Sequence, residues 1–314
     1  MEIGQTAYIA VTAAMLWDTP QKARRQDTPA LKNPVDLRSW TDRLDVESLT
    51  DLANRDCTVS QALMGNRVLI RDLQRQDGEE WARIAVAEQS TPRDAMGYPG
   101  WIPVRQLADS PAFALREKWP FLQVHATKTP LFRDSALSQP VNEAVYGVRL
   151  PYLEAKGGAR RVMLPDGSTA YLRSDVATYN RTASDLPPPT ASNLLNAGKR
   201  FLGAPYIWGG LTPYGFDCSG LMYALFRAHG VTLPRDTPQQ FQQGVTVAAT
   251  EMRPGDLLFF GKGGRRGRIH HVGLYAGKAM MLHAPNPHRR VVLATLRSSG
   301  FYQEFVECRR IGSR

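Results

Sequence analysis

Asp217-Cys218-Ser219-Gly220-Leu221-Met222-Tyr223-Ala224-Leu225-Phe226 decides how the rest of the chain is read. Asp is a favoured helix N-cap, so the pattern predicts a helix that begins after Asp217 and carries Cys218 in its first turn. Leu221, Met222, Leu225 and Phe226 recur at helical spacing and would anchor that turn in a core, with Gly230 stopping the helix after His229. A helix N-terminus favours thiolate over thiol, and a free N–H there can bind an oxyanion. Cys218 is therefore placed as a reactive cysteine, and its thiol is expected to ionise more readily than an ordinary one.

A cysteine nucleophile needs a base, and the base needs an orienting partner. His271 begins the strand-like run His271-Val272-Gly273-Leu274-Tyr275, and His283 ends Ala279-Met280-Met281-Leu282-His283. Their separation is even. A three-residue turn at Ala276-Gly277-Lys278 would set His271 directly opposite His283 on one face of a hairpin. The expected catalytic arrangement is Cys218, His271 and His283, with His283 standing where other triads use Asp or Asn. His270 falls on the opposite strand face and is expected in solvent. His229 ends a helix, where a cation is favourable. His125, His288, Cys57 and Cys308 have no partner motif and read as structural.

Working outward, Ser192 is predicted to cap a helix reaching about Leu202, and strand-like runs follow Cys218 at Asp256–Phe260, His271–Tyr275, Ala279–His283 and Val291–Thr295. Helix first and antiparallel sheet after is an α+β layout. Pro187-Pro188-Pro189 makes residues 185–192 a stiff, extended linker, so a catalytic domain is expected over 193–314. The front half reads as β. Ala62-Leu63-Met64-Gly65-Asn66-Arg67-Val68 aligns with Ala144-Val145-Tyr146-Gly147-Val148-Arg149-Leu150, which suggests two small β-barrels, over 1–110 and 111–184. Trp40, Leu44 and Leu49–Leu52 recur at helix-like spacings, so residues 21–54 read as a largely helical insertion in the first barrel.

The 314 residues allow two or three domains, and 43% hydrophobic with 22% charged residues allows packed cores. A net charge of +10 favours polyanionic surroundings. No basic run interleaved with aromatics points to nucleic acid; the longest basic cluster, Arg265, Arg266 and Arg268, reads as a solvated loop. Three widely spaced cysteines make no disulfide framework, and neither CxxC nor HExxH occurs, so no metal or cofactor is called for. No run reaches the ~18 apolar residues of a membrane span. Tyr8–Trp17 is apolar enough for a leader, but Glu2 precedes it without Lys or Arg, and Tyr8–Thr12 reads as an opening strand. The expected location is cytoplasmic if this N-terminus is native and exported if a leader was removed. The default oligomeric state is a monomer.

Tyr206-x-Trp208-Gly209-Gly210, Asp217-Cys218-Ser219-Gly220, Arg253-Pro254-Gly255-Asp256-Leu257-Leu258-Phe259-Phe260, His271-Val272-Gly273-Leu274-Tyr275 and Leu282-His283-Ala284 resemble the motif series of NlpC-type cell-wall cysteine peptidases, in order and in spacing. They cover most of residues 195–310. The resemblance implies a papain-like α+β core with a Cys-His-His triad. The front half is similar to bacterial SH3-like wall-binding modules, and Gly97-Tyr98-Pro99-Gly100-Trp101-Ile102-Pro103-x-x-Gln106-Leu107 is similar to a segment of the two-module subgroup. That subgroup resembles γ-D-glutamyl-L-diamino-acid endopeptidases, which act on small muropeptides with a free N-terminal L-Ala. The resemblance implies that Tyr98 reaches into the peptidase cleft and, with Asp217, holds the substrate's amino group. It also implies that Tyr206, Trp208, Ser219 and Thr237 line the cleft. In some relatives an acidic residue near Asn66 assists amine binding, and Asn66 is neutral. Two other readings are a non-catalytic wall-binding protein and a cysteine amidase or acyltransferase on another substrate.

Overall fold

The computed structural model describes residues 1–117, 119–263 and 267–312. Arg265 and Arg266 of the basic cluster lie outside the described residues.

The apolar opening run is core. Strands Thr6–Ile9 and Ala13–Trp17 bury nearly every side chain in the first of two seven-stranded antiparallel sheets, which spans residues 6–108. The second spans residues 121–180. Numbered within each sheet, the strands run 3-2-6-5-4-1-7 in both, so the faint sequence repeat reflects a repeated topology. Gly65 and Gly147 sit at matching turns, each with φ of +82°, where a side chain would be strained. Between strands 2 and 3 of the first sheet come two 3-10 turns and the helices Leu37–Asp42 and Val46–Asn54. Trp40 of the former donates to the buried Asp27 carboxylate at 2.8 Å.

After the proline run, Thr190 rather than Ser192 caps a helix over Ala191–Lys199, its hydroxyl accepting from the Asn193 amide. The helix that begins with Cys218 runs Cys218–Ala228, and every residue in it is buried. Its apolar side chains contribute about 1.5–3 kcal/mol each in transfer free energy, which fixes the helix against the sheet. That sheet has six antiparallel strands in the order Val245–Val247, Phe305–Arg310, Leu257–Lys262, Arg268–Gly277, Met280–His283 and Val292–Thr295. The last-turn carbonyls of the Cys218 helix lie beyond its internal ladder. Arg227 O accepts from the Gly230 amide at 3.2 Å, and the second barrel adds donors: Gln123 Nε2 donates to Ala228 O at 2.8 Å and Arg149 Nη2 to Arg227 O at 2.7 Å. His229 is buried at this end, its Nδ1 2.7 Å from Leu225 O. Burial pushes its pKa down, so it is a neutral hydrogen-bonding group and not the cation expected at a helix end.

Candidate active site

The start of the Cys218 helix is set by local chemistry. Asp217 Oδ1 accepts from the Gly220 amide at 2.6 Å, which is the N-cap contact, and Cys218 is the first helical residue. Gly220 has no substitute there, because a Cβ would collide with the Gly210 carbonyl. The sulfur lies against the strand that carries His271: it is 4.0 Å from His270 O and 3.6 Å from Thr237 Oγ1. The Val272 and Ser219 amides also point at it.

His271 Nε2 lies 2.9 Å from His283 Nδ1, and both rings are buried. They share a face as expected, but the register differs by two residues. The hairpin turns on Lys278-Ala279, with φ of +51° and +55°, and Leu274 pairs with Leu282. Continued along the strands, this register sets Gly273, not His271, opposite His283. A Cβ on Gly273 would collide with the Met281 side chain and lie 3.2 Å from His283 Cβ. The glycine therefore leaves room for His283 to lean diagonally to His271. Phe301 stacks on His271 with centroids 3.8 Å apart and planes 7° apart, and meets His283 edge-on at 5.8 Å. His270 is half-buried rather than free in solvent, with Nε2 2.9 Å from Glu304.

Burial reverses the expected ionisation of the thiol. It pushes Cys218 up to about 11, assisted by the Asp217 charge, while Thr237 and the two amides pull weakly the other way. Burial also holds His271 well below the ordinary imidazole range, with His283 and His270 adding to the effect, and takes His283 down to about 4. Cys218 is thus a neutral thiol and His271 a neutral imidazole.

A cleft of about 420 Å³ opens on Cys218 and is lined by Tyr98, Tyr206, Trp208, Asp217, Ser219 and Thr237, so all six expected cleft residues meet there. Their bonding differs from expectation at one pair. Tyr98 donates to Asp236, at 3.0 Å to Oδ2, and not to Asp217. Asp217 is saturated instead: Arg235 Nη2 and Nη1 donate to it at 2.7 and 3.1 Å, and the Gly209 amide at 2.9 Å. Arg235 also reaches Ser219 Oγ at 3.0 Å and, in the first barrel, Ser60 Oγ at 2.9 Å. The Tyr206 hydroxyl has its pKa raised by burial and by Cys218. Trp208 is held through its carbonyl, which accepts from Thr58 at 2.6 Å. Asn66 lies away from this cleft, donating to Glu88 at another cavity.

Sequence reading missed Arg235 and Asp236. Asp236 occupies the N-cap position of the short helix Thr237–Gln240, yet its carboxylate makes no cap bond because it faces Tyr98. Asp-Thr-Pro after an arginine was the available signal, and it reads as an ordinary helix start.

The model of the NlpC/P60 family matches residues 203–310, and that of the YKFC SH3b2 domain matches 124–179. A γ-D-glutamyl-L-lysine dipeptidyl-peptidase of Bacillus cereus is 38% identical over 304 residues, 97% of this chain and 90% of that protein. One of Bacillus subtilis is 31% identical over 95% of this chain and 96% of its own length. The crystal structure of an NlpC/P60 family protein from Bacillus cereus superposes with a TM-score of 0.92 at 38% identity, covering 98% of this chain and 99% of that one. With its buried Cys218, paired histidines and preceding SH3-like sheets, the chain belongs to the NlpC/P60 family of cysteine peptidases.

Proposed function

We propose that the protein hydrolyses the bond from γ-D-Glu to a diamino acid in peptides released from peptidoglycan, taking those that begin with a free L-Ala. The relatives named as γ-D-glutamyl-L-lysine dipeptidyl-peptidases support the bond. The observation that carries the amine preference is the Tyr98–Asp236 contact, made across 138 residues of sequence. It walls one end of the cleft with a carboxylate and a phenol. Asp217 is neutralised by Arg235, so Asp236 is the anion available to an ammonium group. Because Tyr98 comes from the same chain, the site is complete in one copy, which supports a monomer as the working unit.

The neutral resting pair sets the order of proton movements. In the tautomer that serves catalysis, His271 Nε2–H donates to His283 Nδ1 and leaves His271 Nδ1 bare. The Cys218 proton passes to Nδ1 as the sulfur bonds to the γ-carbonyl carbon. The resulting oxyanion is held by N–H groups around Cys218, with the Tyr206 hydroxyl as a further donor. His271 then protonates the leaving amine, the C–N bond breaks, and a thioester remains. Water adds as His271 takes its proton, the C–S bond breaks, and the proton returns to sulfur. Asp217 acts on this chemistry indirectly, by fixing the first helical turn.

Mass spectrometry of L-Ala-γ-D-Glu-diaminopimelate and its Lys counterpart, each with a free or acetylated amine, tests the reading. The free peptides are cut at the γ-D-Glu bond by the wild type and not by Cys218→Ala, and the acetylated ones are spared. Cleavage of neither free peptide refutes the substrate assignment. Equal cleavage of free and acetylated peptides refutes the amine preference.

A further inference from the structure

A second cavity, of about 350 Å³, lies where the two barrels meet the far end of the nucleophile helix, remote from Cys218. Its walls include Phe113, Phe121, Leu150 and Pro151, and its charged floor is Arg149, Arg227 and Glu88. One carboxylate there serves two guanidinium groups. Glu88 is committed to Arg227, 2.6 Å from Nε, and accepts from Asn66 at 3.3 Å. Among the described residues Arg149 has only neutral acceptors, Gln123 Oε1 at 2.9 Å and Arg227 O at 2.7 Å. Its Nη1 has no hydrogen-bond partner among the described residues. Glu117, at the rim, is engaged by the Tyr8 hydroxyl at 3.1 Å and by Arg67 at 3.6 Å. Arg181, also at the rim, is exposed and forms no ion pair among the described residues.

An unneutralised cation out of bulk water is costly, and an anion beside it recovers part of that cost. Burial and Arg227 push the Arg149 pKa down to about 9, with Glu88 only partly opposing. We propose that this cavity is a second ligand site, taking a small carboxylate carried on an apolar body, with Arg149 Nη1 and Arg181 meeting the carboxylate and the Phe113–Phe121 wall meeting the body. Arg149 also donates to the Arg227 carbonyl in the last turn of the helix that begins with Cys218, so an occupant would bear on that helix's anchorage.

Isothermal titration of the full chain with N-acetyl-L-phenylalanine, its amide and acetate tests this. The acid binds saturably at one site, and the amide and acetate bind at least about tenfold more weakly, the loss expected for removing a charged hydrogen bond or the apolar contact. Arg149→Gln weakens the acid about tenfold or more, and Arg181→Gln, at the surface and harmless to folding, weakens it measurably. Asp236→Asn, in the catalytic cleft, leaves it unchanged. No saturable binding, binding retained in both arginine variants, binding lost in Asp236→Asn, or equal affinity for acid and amide would each overturn the proposal.

Discussion

Asp236→Asn separates a charge from a shape. Asparagine keeps an oxygen to accept from Tyr98, now 3.0 Å from Oδ2, so the cleft wall should stand while its charge is lost. An ammonium about 4 Å from a carboxylate gains roughly 4 kcal/mol at an effective dielectric near 20. Desolvation cancels part of this, and charged hydrogen bonds are typically worth about 1.5–3 kcal/mol net. The variant should therefore lose about 10- to 150-fold in kcat/KM on a free-amine tripeptide, expressed mainly in KM. The pH dependence adds a second signature. Burial raises the Asp236 pKa, with Arg235 and Arg93 opposing. The ammonium binds the ionised carboxylate, so the ratio of wild-type to variant kcat/KM falls as pH drops through that raised value. It falls again above about pH 8, where a free α-amine loses its proton. Steady-state kinetics on the free tripeptide across pH measure both limbs, and the ratio cancels the titration of His271. A loss below about threefold, or a flat ratio, would refute the assignment of the amine to Asp236.

The remaining predictions concern the groups that hold the site. The difference in thiolate ultraviolet absorbance between wild type and Cys218→Ala should be absent near neutrality and grow toward about pH 11; a full difference at pH 7 would contradict the neutral resting pair. Phe301→Ala removes a ring pair worth about 0.5–1.5 kcal/mol, so kcat/KM should fall about 2- to 10-fold. The same change exposes His271, raises its depressed pKa and moves the acid limb of the pH profile upward, whereas Phe301→Tyr should keep the wild-type profile. Arg235→Met leaves Asp217 buried and unpaired and should cost about 3–5 kcal/mol in urea denaturation. Adding Asp217→Asn should recover most of that loss, and strictly additive losses would show that the two do not act as a pair.

Short-range patterns were legible. Asp217 caps its helix because a carboxylate and an amide three residues apart meet in a single turn. His271 and His283 share a face because strand side chains alternate with period two, so even a two-residue error in register left them together. Gly65 and Gly147 marked the duplicated sheet because both turns require φ above zero. The pairing of His271 with His283, and the start of a helix at Cys218, were thus written in local periodicity and turn chemistry.

Tertiary structure decided which charges are free. Asp217 and Asp236 both read as acidic residues at helix starts, and helix-start chemistry does not say which of them is paired. Arg235, buried between two domains, neutralises the first, while Tyr98 from the first barrel meets the second. The ionisation of Cys218 was likewise beyond sequence. A helix N-terminus draws a thiol down by an amount set locally, but desolvation pushes it up by an amount set by everything packed around it, and here burial dominates. Hydrogen bonds within a turn are fixed by a few residues, whereas ion pairing and desolvation sum over segments brought together only by the fold.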